Sequence, residues 1–295
     1  MQVLKHLTFD VGICAYNEAQ NIEGLLRACV TSEVRDYHLG DIIVVSSGSN
    51  DGTDKIVQGL ARQNRRIQLL LEQERTGKSS AINKILERSN SDLIVLISAD
   101  VLPSKHMINK LLEPFHESKV GMVGCRVSPV NGHDSTCGNI VRFIWSLHDI
   151  AADVEPKFGE AVAFRRDLVE RLEPNIIADE AFIEMKVRQA GYGLRYAPDA
   201  LVFNRGPETL FELLEQRKRV YAGHLQLRMK YGYSVSTLKT KNLVRILLMG
   251  RERSEPKYVA AAVMIEMLAR ALGLCSYLAG RSTHVWRMLK STKRL

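Results

Sequence analysis

Four short apolar runs, each followed by a polar loop and a helix-like stretch, organise the first hundred residues and leave few folds open to them. Thr8 to Cys14, Ile42 to Val45, Ile67 to Leu71 and Leu93 to Ile97 read as buried strands. Asn21 to Thr31, Thr53 to Gln63 and Lys78 to Arg88 read as the helices between them. Strands alternating with helices predict an α/β domain with an open, mostly parallel sheet flanked by helices. Such a sheet takes its ligand beyond the carboxyl ends of the strands. The loops at that edge read Ala15-Tyr16-Asn17-Glu18, Ser46 to Thr53, Arg75-Thr76-Gly77-Lys78 and Ser98-Ala99-Asp100. Each alone is ordinary turn chemistry. Their common edge, with carboxylates, a lysine and several hydroxyls, points to a binding site.

The second half is less regular. Gly159 to Arg165 reads as a strand, Asp179 to Gln189 as a helix, Leu194 to Phe203 as a strand pair or extended stretch, and Glu208 to Lys230 as a longer helix. After Gly232 the chain turns basic and amphipathic. The expected organisation is a main domain over 1–232, with halves of about 1–103 and 104–232, and a basic helical C-terminal appendage over 233–295. A chain of 295 residues accommodates one such domain with its appendage.

Charge is unevenly placed. Residues 216–295 hold 17 Lys/Arg against 3 Asp/Glu, more than the whole of the net charge of +8. That asymmetry calls for an anionic partner, a membrane surface or a nucleic acid, or else is a solvated basic face. Cys14, Cys29, Cys125, Cys137 and Cys275 form no CxxC pair and the eight histidines show no ligand spacing beside them, so no zinc site is expected. Met1 to Asp10 has one lysine and no long apolar core and does not read as a signal peptide. The expected location is the cytoplasm, with reduced thiols.

The loops gain meaning from their order. Ile13-Cys14-Ala15-Tyr16-Asn17-Glu18, Val45 to Thr53, Gly77-Lys78-Ser79-Ser80-Ala81-Ile82-Asn83, Ser98-Ala99-Asp100, Ala178-Asp179-Glu180 and Gln216-Arg217-Lys218-Arg219 follow one another at set intervals. This series, from about Phe9 to Gly223, resembles the family-2 glycosyltransferases of GT-A fold. The resemblance implies that Tyr16, Asn17, Glu18 and Ser47 contact the nucleoside, and that Gly77 and Lys78 open a helix toward phosphate or ribose oxygens. It implies that Asp100, with Ser98 before it, stands at the family's Asp-x-Asp and holds Mg²⁺ or Mn²⁺ against the diphosphate. Glu180 falls at the catalytic base, with Asp179 in reserve, and Gln216 and Arg219 share a helical face toward the diphosphate or acceptor. Cys14 replaces a proline, serines replace the leading aspartates of the second loop, Ser98 replaces the first metal aspartate, and Val220 replaces a tryptophan. Those departures leave the donor and the strictness of the metal requirement open.

The function so implied is an inverting glycosyltransferase that moves a sugar from a nucleotide-diphosphate sugar, UDP- or GDP-linked, to a glycan hydroxyl or lipid-linked acceptor. If the acceptor is a lipid phosphate, no base is needed. The competing readings are a nucleotide-sugar-binding protein without activity and a sugar nucleotidyltransferase, which would need a Gly-rich loop where Tyr16-Asn17-Glu18 stands. Nucleic acid is not among the expected partners. In the tail, Leu243 to Met249 is apolar but for Arg245, and Tyr258 to Gly280 is interrupted among charged residues only by Glu266 and Arg270. A run of that length spans a bilayer, packs on the soluble core, or lies in the interface. The i,i+4 spacing of Glu266 and Arg270 suggests a surface ion pair. The flanking Lys257, Arg281, Arg287, Lys290, Lys293 and Arg294, with Trp286, favour the interfacial position, on the cytoplasmic face of an anionic membrane.

Overall fold

Period-2 alternation in the apolar runs sends side chains to both faces of a single sheet. In the computed structural model, which describes residues 7–285 and 288–293, Phe9, Val11, Ile13, Ile42, Val44, Val95 and Ile97 pack on one face, and Ile43, Val45, Ile94 and Leu96 on the other. The elements run β1 (Leu7–Ala15), α1 (Ile22–Val30), β2 (Tyr37–Ser47), α2 (Thr53–Gln63), β3 (Ile67–Glu72), α3 (Lys78–Arg88) and β4 (Leu93–Ser98). These four strands are parallel, in the order β3-β2-β1-β4. Strand and helix positions here match the sequence expectation to within a few residues.

Beyond β4 the sheet becomes mixed. The chain continues through β5 (Val101–Pro103), α4 (Met107–Leu112), β6 (Val120–Pro129), α5 (Thr136–Val154), β7 (Ala161–Arg165), α6 (Asp179–Gln189) and β8 (Gly193–Asn204). β7 pairs antiparallel with β4 and with β6, β8 lies parallel to β6, and β5 caps the far edge antiparallel to β8. The sheet thus reads β3-β2-β1-β4-β7-β6-β8-β5. Residues 194–203 belong to one strand rather than a pair, with a register shift opposite Cys125 and Arg126.

α7 (Leu210–Tyr231) is delimited by local chemistry. The Thr209 hydroxyl accepts from the Glu212 N–H at its start, and Gly232 ends it in the left-handed region. α8 (Thr240–Gly250) and α9 (Pro256–Leu278) follow. Ile246 of α8 packs with Ile150 and Ala151 of α5, and Ala262 of α9 packs with Ile140, Val141, Phe143 and Leu213. Gly273 lets α9 approach α7 closely, since a Cβ there would lie 2.8 Å from the Lys218 carbonyl oxygen. Glu266 turns inward rather than forming a simple surface pair. It lies 2.9 Å from Arg217 of α7 and 3.0 Å from Arg270. Of the tail residues read from sequence, Trp286, Arg287, Arg294 and the Lys290 side chain lie outside the described residues, as do residues 1–6.

Candidate active site

The Asp51-Gly52-Thr53 turn at the head of α2 organises the loop after β1. Asp51 accepts from the Thr53 N–H and hydroxyl through one oxygen and from the Ala19 N–H through the other, and the Thr53 hydroxyl accepts from the Glu18 N–H. Asn17 holds a positive φ of 53°, and its side-chain oxygen accepts from the Asn50 N–H. Asn17 therefore braces two loops and does not line the cleft, whereas Tyr16 and Glu18 do. The Arg75 guanidinium lies over the Tyr16 ring, 3.9 Å from its centre.

A cleft of about 200 Å³ opens at this edge and gathers Tyr16, Glu18, Ser47, Gly77, Lys78, Ser98, Asp100, Gln216 and Arg219, nine of the twelve residues singled out from sequence. Gly77 adopts φ 100°, which L side chains rarely reach, and a Cβ there would meet His284 at 2.7 Å. Lys78, at the start of α3, is half-buried between two acids. Its ammonium is 3.0 Å from Asp179 and also bonds Glu180. Burial alone would lower its pKa, but Asp179 and Glu180 hold it well above the ordinary value. Burial pushes the Asp179 carboxyl up to about 6, against the pull of Lys78. Glu180, half-buried, is drawn down by the same ammonium against the opposing effect of desolvation.

Asp179 and Glu180 do not enter this cleft. Asp179 is fully buried behind Lys78. Glu180 faces a second cavity of about 320 Å³ that runs between α5, α7, α8 and α9. Lys78, Ser98, Glu160, Gln216 and Arg219 line both cavities and form their common wall. Burial lowers Arg219 to about 10 even with Asp179, Asp100 and Glu160 nearby.

Two carboxylates that sequence reasoning passed over stand beside the serines. Glu72, at the end of β3, pairs in register with Ser47 and accepts its hydroxyl at 2.5 Å. It also accepts from Ser80 of α3 at 2.7 Å. Glu160, at a positive φ of 63°, accepts the Ser98 N–H through its backbone carbonyl, and its side chain is close to Ser98 and Asp100. Burial first, then the Asp100 charge, pushes Glu160 up to about 7. Of the three serines that stand where the family pattern has an acid, Ser47 and Ser98 thus have a glutamate supplied by the adjacent strand or its entry, whereas the Ser46 hydroxyl bonds Ser49.

The C-terminal end crosses the same cleft. His284, Met288, Leu289, Thr292 and Lys293 line it. The Lys293 ammonium bonds Glu18 and lies 3.3 Å from the Tyr16 carbonyl oxygen. Burial, then Asp100, raises Glu18 to about 7 despite that ammonium. The sequence offered the tail's charge as a signal but no indication that Lys293 returns to β1.

Asp100, Glu160 and Glu18 offer only oxygen, which suits a hard divalent cation. Among the described residues no three His, Cys, Asp or Glu side chains come close enough to hold a metal by themselves. The set fits an ion that draws the rest of its shell from phosphate oxygens and water, as Mg²⁺ commonly does.

A mixed sheet with this loop edge and cleft defines a GT-A-like domain of the nucleotide-sugar transferase type. The family model described as glycosyl transferase family 2 matches residues 10–169, and that of glycosyl transferase family group 2 matches residues 93–280. The chain belongs to glycosyl transferase family 2. It is 25% identical over 248 residues to a poly-beta-1,6-N-acetyl-D-glucosamine synthase of Staphylococcus aureus, an alignment covering 80% of this chain and 59% of that protein. It is 28% identical over 233 residues to glycosyltransferase AglE of Haloferax volcanii, covering 75% of this chain and 74% of that one. The fold is shared with a mannosyltransferase of Pyrobaculum calidifontis solved with GDP-Man and Mn²⁺, at a TM-score of 0.67 and 21% identity over 92% of this chain and 87% of that one. It is shared also with glucosyl-3-phosphoglycerate synthase of Mycobacterium tuberculosis, at a TM-score of 0.55 and 18% identity over 75% of this chain and 79% of that one.

Proposed function

We propose that the protein is an inverting glycosyltransferase whose donor, a UDP- or GDP-sugar, lies in the Asp100 cleft and whose acceptor enters from the Glu180 side. The observation that carries this reading is the wall shared by the two cavities. It holds Lys78, Gln216 and Arg219 between a metal-competent carboxylate on one side and a carboxylate base on the other.

Tyr16 and Glu18, with Arg75 stacked on Tyr16, receive the nucleoside, and Asn17 fixes their loop. The Ser47–Glu72 pair ends the same wall. Gly77 and Lys78 present the start of α3 to the diphosphate. A divalent ion, Mg²⁺ or Mn²⁺, held by Asp100 with Ser98 and Glu160 beside it, would supply Lewis-acid neutralisation of the diphosphate.

Glu180 takes the proton from the acceptor hydroxyl as its oxygen bonds the anomeric carbon. The bond from that carbon to the diphosphate oxygen breaks on the opposite face, and its electron pair leaves with the nucleoside diphosphate. Arg219 and Lys78 stabilise the charge that develops there. A bound diphosphate competes with Glu180 for Lys78, which raises the basicity of the carboxylate when donor is present. Asp179, buried against Lys78, keeps the ammonium placed and is the reserve base.

Donor binding tests this directly. Ligand binding to the native state raises stability, so a UDP- or GDP-sugar is expected to raise Tm, and more so with Mn²⁺ than without. No shift with any nucleotide sugar, with or without metal, would contradict the assignment of the cleft.

We also infer a position on the cytoplasmic face of an anionic membrane. α9 alone among the described helices is long and apolar enough to cross a bilayer. Its inward Glu266, engaged by both Arg217 and Arg270, favours lying in the interface. Met264, Met267, Leu268, Leu272 and Leu278 of α9 are exposed apolar residues, as are Val244, Leu248 and Met249 of α8. Arg251, Arg253, Lys257 and Arg281 flank them. The full-length chain is expected to sediment with anionic liposomes and to be released by high salt. Resistance to both salt and alkaline carbonate would indicate a spanning helix, and no liposome binding would remove the membrane from the account.

A further inference from the structure

The two serines at the end of β2 are used differently. The Ser46 hydroxyl bonds Ser49 within the loop, whereas Ser47, only 6% exposed, lines the donor cleft. The Ser47 hydroxyl donates to Glu72 of β3 at 2.5 Å. Glu72 does not itself line the cleft. It is buried behind Ser47, where its other oxygen accepts from Ser80 at 2.7 Å and lies 3.7 Å from the Lys84 ammonium. A hydroxyl has one proton and two lone pairs, and a carboxylate only accepts. With its proton committed to Glu72, Ser47 therefore turns lone pairs alone toward the cleft. Among the described residues no group donates to them. A buried acceptor left unpaired is costly, and this one faces the space that the ligand enters.

We propose that Glu72 is a positioning residue for base selection: by holding the Ser47 proton it fixes Ser47 as a one-way acceptor, which selects a donor whose base presents a ring N–H. Uracil carries that hydrogen at N3 and guanine at N1. The corresponding nitrogens of cytosine and adenine bear lone pairs, which would meet those of Ser47. The inference deepens the donor side of the transferase reading and rests on it. A serine free to rotate would turn its proton or its lone pairs to either kind of base and select neither. The Tyr16 and Arg75 stack on the same cleft does not make this choice, because every base has a π-face. An aspartate at position 47 would make it directly. Here the carboxylate arrives from the neighbouring strand, through the register that sets Ser47 opposite Glu72.

Calorimetric titration of the full-length protein in Mn²⁺ reads the selection without sugar transfer. The probes are UDP, GDP, CDP and ADP, with N3-methyl-UDP and N1-methyl-GDP, in which a methyl group replaces the hydrogen in question. UDP or GDP is expected to bind most tightly, and its methylated form at least about tenfold more weakly, the scale of leaving one buried acceptor unpaired. CDP should fall at least about tenfold below UDP, or ADP below GDP, for the same reason.

Glu72→Ala frees the Ser47 hydroxyl to rotate, so the ratio of UDP to CDP affinity, or of GDP to ADP, should narrow to within about threefold. A variant that is merely damaged weakens both members of a pair and leaves their ratio alone. Adding Ser47→Asp to Glu72→Ala places an acceptor-only group at the cleft and should restore the ratio, which also shows the double variant to be folded. If Glu72→Ala alone does not fold, the double variant and the ratio in the unaltered protein carry the test. CDP or ADP bound as tightly as UDP or GDP, methylated probes bound like their parents, or an unchanged ratio in Glu72→Ala would overturn the proposal and leave a nucleotide cleft in place. No binding by any of the nucleoside diphosphates would remove the transferase reading along with it.

Discussion

Asp100→Ala is expected to lower kcat/KM for sugar transfer by roughly 10³-fold, the scale of losing one preorganised electrostatic partner of a charged transition state. Asp100 lines the donor cleft at the end of β4, and its charge raises both Glu18 and Glu160. Removing it takes away the carboxylate proposed to share a divalent ion with the diphosphate. The Mn²⁺-dependent part of the donor-induced Tm shift should vanish with it, while the metal-free protein should lose no stability, because one of three neighbouring acids has gone. Titration of Mn²⁺ in the presence of nucleoside diphosphate checks the first point, and thermal denaturation checks the second. A variant that keeps both metal response and turnover would transfer the metal role to Glu160 or Glu18.

Glu180→Gln carries the second large effect. The substitution keeps the shape and a hydrogen-bonding oxygen for Lys78 but removes the proton acceptor. Turnover is expected to fall by roughly 10² to 10⁴-fold, the usual contribution of a positioned acid or base. Donor affinity should hold or rise, since Glu180 does not line the donor cleft and its charge no longer competes with the diphosphate for Lys78. Single-turnover kinetics beside a donor binding curve separates the two quantities. Turnover near that of the unaltered protein would remove Glu180 as base, leaving Asp179 or an acceptor whose phosphate oxygen is already ionised.

Much of the donor half was legible because its signals are local. Apolar runs of strand length and the Gly77-Lys78 helix start depend on neighbours in the chain, and the structure places β1 to β4 and α1 to α3 where these put them. The acceptor half was less legible. β6 and α5 carry apolar stretches whose period does not by itself distinguish a strand from a buried helix segment. The antiparallel placement of β7 is a property of the assembled sheet.

The same division holds within the site. Ser47 and Ser98 stand out in sequence as missing acids, but the glutamates beside them come from elsewhere. Glu72 meets Ser47 only through the register of β2 on β3, and Glu160 meets Ser98 only through the pairing of β4 with the chain entering β7. The spacing of Glu266 and Arg270 places them on one face of α9 but does not say which way that face turns. Arg217, on a different helix, decides it. Lys293 reaches Glu18 across 275 positions of sequence, a separation that no local pattern encodes.

Transfer of labelled sugar tests the central claim most directly. The protein is incubated with Mn²⁺, a panel of labelled UDP- and GDP-sugars, and both lipid-phosphate and glycan acceptors. The account predicts label in the acceptor, an equal amount of nucleoside diphosphate released, and inversion at the transferred anomeric carbon, all lost in Asp100→Ala. Donor binding with no label in any acceptor would contradict it and leave a nucleotide-sugar-binding protein without transferase activity.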